Sequence, residues 1–126
     1  MSGSGWGGWR LGNRRSPRDG GKWGARHTHD IALVFGNLAA PGSKTGTGPA
    51  ARKVSDQMSE AFLAFARTGD PNCAAIPAWG KYELPKRATM VFDVTSRLVN
   101  DPRGEERKLF ARVPFAQQGG EAQVRN

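Results

Sequence analysis

Residues 24–36 read Gly24-Ala25-Arg26-His27-Thr28-His29-Asp30-Ile31-Ala32-Leu33-Val34-Phe35-Gly36. A Gly-Ala pair precedes a histidine, and five apolar residues, Ile31 to Phe35, follow it. The run is too short for its periodicity to separate a strand from a buried helical turn, so both remain open. A histidine at the junction of a turn and an apolar element is a candidate for proton transfer, because its side chain titrates near neutral pH. Taken alone, a single histidine is equally a solvated or capping residue.

Downstream, residues 55–67 carry the clearest helical pattern. Met58, Ala61, Phe62, Phe65 and Ala66 recur at the spacing of one helix face. Ser55 is placed to cap the start, with Asp56 beside the positive end of the helix dipole. Arg67 stands in the last turn, Gly69 suits a C-cap, and Pro71 blocks continuation. Residues 87–94 read as a strand with Met90, Phe92 and Val94 on one face and Val91 on the other, which predicts an interior position in a sheet. A last helix is expected from Asn100-Asp101-Pro102 through Glu105, Glu106, Leu109 and Phe110, ending before Pro114. Residues 1–22, rich in Gly, Ser and Arg, show neither helical nor strand period and read as poorly ordered. Residues 38–53 read as a loop.

The 126 residues allow one domain at most, and their 37% hydrophobic content with 17 Gly and 8 Pro supplies little core. A chain of this size buries about two-thirds of its unfolded surface, against a cost of roughly 1–2 kcal/mol per ordered backbone residue. The net charge of +8 is uneven. Arg10, Arg14, Arg15, Arg18, Lys22 and Arg26 face only Asp19 in the first 29 residues, and the remainder is nearly balanced. Cys73, the one cysteine, excludes an intramolecular disulfide and a cysteine-based metal cluster. No apolar stretch approaches the ~20 residues of a membrane span, and residues 1–15 lack the apolar segment of a secretory signal. Compartment is left open.

Several motifs, in order, resemble one family. Residues 19–27, ending at His27, are similar to the lead-in to the catalytic histidine of type-B carboxylesterases, the para-nitrobenzyl-esterase-like branch of the α/β-hydrolases. Ser55-Asp56-Gln57-Met58-Ser59 with Phe65-Ala66-Arg67-Thr68-Gly69-Asp70-Pro71-Asn72 resembles the family's late helix and its exit turn. Pro77-Ala78-Trp79, Tyr82 and residues 87–93 resemble its final strand and approach, and residues 100–106 its C-terminal helix. The resemblance spans about residues 17–115. It implies the C-terminal portion of an α/β-hydrolase fold, with one late core strand plus covering helices, incomplete as a free-standing domain. The expected division is a disordered Gly/Arg/Trp-rich segment over 1–19, the esterase part over 20–118 and a disordered tail over 119–126.

The resemblance further implies serine hydrolysis of carboxylic esters without cofactor or metal, with His27 as the general base. His29 matches no functional position. Asp30 matches an acid with a local structural role, while the orienting acid of the triad belongs to a separate, earlier loop. The nucleophile is absent: Ser4 has Ser2, and Ser43 has Pro41, where G-x-S-x-G requires its first glycine. The chain alone is therefore expected to be inactive, with a small ester as substrate of the parent enzyme and an N-terminal esterase fragment as complementing partner. The segment before Gly20 departs from the family's apolar strand.

Two other signals compete. Gly42-Ser43-Lys44-Thr45 follows an apolar run as a phosphate-binding loop would. G-x-x-x-x-G-K-[ST] is not met, because Leu38 replaces the first glycine and Ser43 separates Gly42 from Lys44. The basic N-terminus with Trp6 and Trp9 offers charge and stacking to single-stranded nucleic acid. A basic tail with incidental charge is the preferred reading of it, and nucleic acid is the alternative function.

Overall fold

The computed structural model describes residues 9–11 and 27–113. In chain order the elements are β1 (Trp9–Leu11), α1 (His29–Val34), α2 (Pro49–Thr68), β2 (Ala88–Phe92), β3 (Arg97–Asn100) and α3 (Gly104–Phe110). The sheet runs β1-β2-β3, with β1 parallel and β3 antiparallel to the central strand. Trp9 aligns with Met90 and Leu11 with Phe92. On the other side Met90 aligns with Leu98 and Val91 with Arg97.

All five residues of β2 are buried, as apolar character on both faces predicts. Met90 and Phe92 point into a cluster with Leu33, Met58, Ala61, Ile76 and Trp79. Met58 and Met90 are 0% exposed and Phe92 1%, so these three side chains are the packing centre. Trp79 meets Phe92 edge to face with ring centroids 6.1 Å apart. That geometry places the positive ring edge over the negative ring face.

Several expectations change. The single core strand gains two neighbours: β3, and β1 inside the stretch read as poorly ordered. Val94 leaves the strand for the turn into β3, where its amide donates to Asp93 Oδ1 at 2.7 Å. The proposed cap Ser55 lies inside α2, which begins six residues earlier. Gly48, with φ −70° and ψ 170°, is the actual N-cap, and Pro49 opens the first turn, where a missing N–H costs nothing. Ala50, Ala51, Arg52 and Lys53 then propagate the helix on good propensity. The buried stripe of α2 is Ala51, Ser55, Met58 and Ala61 with Gln57; Phe62 and Phe65 are each 37% exposed rather than enclosed.

The exit of α2 follows the expected pattern. Gly69 adopts φ 76° and donates its amide to Phe65 O at 2.8 Å. Asn72 then binds Trp79 as a backbone strand would, accepting from Trp79 N–H at 2.7 Å and donating to Trp79 O at 2.9 Å. This clamp delivers Trp79 to the core.

α3 starts at Gly104 rather than at residues 100–102, because Asn100 pairs in β3 and Asp101 adopts a left-handed φ of 44°. Among the described residues, no helix is long and apolar enough to cross a membrane.

Candidate functional site

His27 is exposed on the turn that enters α1. The apolar run behind it is helical: α1 spans six residues, with Thr28 at its N-cap in a left-handed conformation, φ 74°. The Ile31 amide donates to Thr28 O at 3.2 Å and closes the turn beside His27. Asp30 stands in the first turn of α1, where a carboxylate complements the exposed N–H groups. Among the described residues no ion pair or hydrogen bond joins Asp30 to His27. His29 is buried in the helix.

A helix of six residues is well below the length that is stable alone, so α1 depends on what it packs against. Leu33 enters the core, and two hydroxyls from α2 satisfy its terminal carbonyls. Ser55 Oγ donates to Leu33 O at 2.7 Å, and Ser59 Oγ donates to Val34 O at 2.7 Å. Both carbonyls belong to the last turn, which lacks intrahelical donors; Leu33 O also accepts from the Gly36 amide at 3.4 Å. The sequence reading gave Ser55 a capping role for the wrong helix. Its signal lay in two serines four residues apart, flanking Met58 on the buried face.

The chain then returns, so that Gly42, Ser43 and Lys44 come beside His27, His29 and Ala32 around a cavity of about 310 Å³. No carboxylate stands among the residues that line it. Thr45 is buried; its hydroxyl lies 3.2 Å from Gly46 O and 2.9 Å from Ser43 Oγ. The phosphate-loop reading also fails structurally, since no helix opens at Lys44-Thr45; α2 begins only at Pro49. Among the described residues no cluster of three or more His, Cys, Asp or Glu is placed to hold a metal. The basic segment assigned to nucleic acid lies outside the described residues except for 9–11.

A sheet backed by one long helix, with an exposed histidine on the turn into a short anchored helix, fits the late part of an α/β hydrolase that the sequence resemblance implied. The profile of the carboxylesterase family matches residues 9–110, and the chain belongs to that family. It is 33% identical over 89 residues to the para-nitrobenzyl esterase of Bacillus subtilis (strain 168), covering 68% of this chain and 18% of that protein. It is 31% identical over 90 residues to carboxylesterase 4A of Bos taurus, covering 71% and 16%. Among solved structures, carboxylesterase EST55 of Geobacillus stearothermophilus matches with a TM-score of 0.65 at 36% identity, covering 79% of this chain and 20% of that one. An esterase from Clostridium hathewayi matches with a TM-score of 0.68 at 27% identity, covering 84% and 20%. The chain thus spans a fifth or less of the length of these relatives.

Proposed function

We propose that this chain is the histidine-bearing part of a serine carboxylesterase that hydrolyses small carboxylic esters. Residues 20–118 form the esterase portion. His27 takes the proton from a serine Oγ as that oxygen attacks the ester carbonyl, and returns it to the leaving alkoxide. A water deprotonated by the same imidazole then releases the acid and regenerates the serine. The serine and the orienting acid come from esterase sequence outside the matched fifth. The observation that carries this reading is the setting of His27: exposed, lining a cavity, and on a turn braced through α1 against the core.

The test is p-nitrophenyl acetate hydrolysis by the purified chain, alone and mixed with an esterase polypeptide that lacks this C-terminal span. The chain alone should match buffer. The mixture should turn over, and His27→Ala should lower that activity by a factor on the order of 10⁴ to 10⁶. Turnover by the chain alone, or a mixture indifferent to His27→Ala, overturns the proposal.

A further inference from the structure

The two hydroxyls that end α1 are separated by one turn of α2 and reach adjacent carbonyls, Leu33 O and Val34 O. Ser59 also approaches Leu33 O at 3.3 Å. Ser55 is 3% exposed, so water is a poor substitute for its donor. The carbonyls lie at one end of the six-residue α1, and the His27–Thr28 turn lies at the other. Any rotation of α1 on α2 therefore moves His27.

We propose that Ser55 and Ser59 are positioning residues for His27: by donating to the C-terminal carbonyls of α1 they set the direction in which its N-terminal turn presents the imidazole. This rests on the reading of His27 as the proton carrier. Displacing a catalytic group by about 1 Å costs on the order of 10²-fold in rate, so the brace acts on kcat and leaves substrate binding to other surfaces. A hydroxyl is suited to this task because it donates without carrying a charge that pH or salt could remove or screen.

The experiment has two arms. In the full chain, amide hydrogen exchange is followed at Ile31, whose N–H closes the turn on Thr28 O, and at Met90 and Phe92 in the central strand. Ser55→Ala should accelerate Ile31 severalfold and leave the strand amides within a factor of two. Ser59→Ala should do the same to a smaller degree, and Ser59→Thr, which keeps a hydroxyl, should restore the parent rate. Equal acceleration at all three amides would reduce the serines to general stability, and no acceleration would remove the brace; either overturns the proposal. If Ser55→Ala does not fold, the half-buried Ser59 pair of variants decides. In the reconstituted esterase, Ser59→Ala should lower kcat tenfold or more with KM within a factor of two, and a change confined to KM also overturns it. Activity unaffected by His27→Ala would instead sink the esterase reading, while the exchange arm still reports on the brace.

Discussion

Helices α1 and α3 are similar in length, six and seven residues, and neither is long enough to persist alone. They are held by opposite means. α1 buries His29 and Leu33 and is tied to α2 by neutral hydroxyl–carbonyl bonds. α3 buries no residue and leaves Leu109 and Phe110 61% and 71% exposed. Its hold is the fork of Arg107 on Asp101, with Nε at 3.1 Å from Oδ1 and the terminal nitrogen at 2.8 Å from Oδ2. Ion pairs of Lys108 with Glu105, at 2.7 Å, and of Arg103 with Glu106 lie on its surface. A buried neutral anchor is insensitive to pH and salt and keeps its geometry. An exposed charged one is screened and conditional. His27, the proposed proton carrier, stands on the turn into the first kind of helix, which suits a group that must hold a fixed direction.

The largest effect should come from the core on which α1 depends and α3 does not. Phe92→Ala removes a 1% exposed ring and its edge contact with Trp79, and should cost about 3–5 kcal/mol, read from urea denaturation. If α1 and α3 lose exchange protection at different denaturant concentrations, the contrast between them is sharpened; simultaneous loss would break it.

Ser55→Ala comes next, at about 0.5–1.5 kcal/mol for the loss of one buried hydrogen bond, because Leu33 O keeps Ser59 Oγ at 3.3 Å and the Gly36 amide at 3.4 Å. The loss should appear in α1 and leave the amides of α3 as they were, by site-resolved exchange.

Acid should act the other way round. Hydrogen bonds from Arg107, with its charge adding, hold the Asp101 carboxyl below the ordinary carboxylate range and raise the Arg107 guanidinium. A depressed folded value means that the contribution is fully present above the unfolded pKa of about 4 and is lost as pH falls through the folded value. α3 should therefore loosen below about pH 4, with α1 unaffected through its serines, and Asp101→Asn should reduce the acid dependence of α3 exchange to what the exposed Glu105 and Glu106 pairs contribute. Asp70, held low by the backbone and side-chain amides of Asn72, will contribute to global acid sensitivity, so the readout must be local to α3.

A smaller effect is expected from Gly104→Ala. An added Cβ would lie 2.8 Å from Asp101 Oδ2, and the carboxylate must swing off Arg107 to admit it. The expected sign is faster exchange in α3 with no change at Ile31. Unchanged α3 protection would show that the fork is not what holds it.

The legible parts of the fold were those with a local cause. The second half of α2 and its exit at Gly69 could be read because periodicity, propensity and a left-handed cap coincide within one segment. β2 could be read because a strand buried on both faces is apolar on both. β1 and β3 could not: Trp9-Arg10-Leu11 and Arg97-Leu98-Val99-Asn100 have no period of their own, and they are strands only because β2 offers each an edge. The first turns of α2 were masked by the Gly- and Pro-rich stretch before them, although Gly48-Pro49 is itself a start signal.

At the site, the sequence by itself determined which residue to consider. Motifs around His27 resemble a carboxylesterase lead-in, and no serine of the sequence stands in G-x-S-x-G. Only the tertiary structure decided that the apolar run after His27 is a helix, that Gly42, Ser43 and Lys44 share its cavity, and that Ser55 and Ser59 finish α1 rather than begin α2. The reason is one of range. Capping boxes, turns and amphipathic faces act between residues a few positions apart and leave a mark in the order of amino acids. A hydroxyl that satisfies a carbonyl 22 residues away acts through space, and its partner exists only once the two helices have packed.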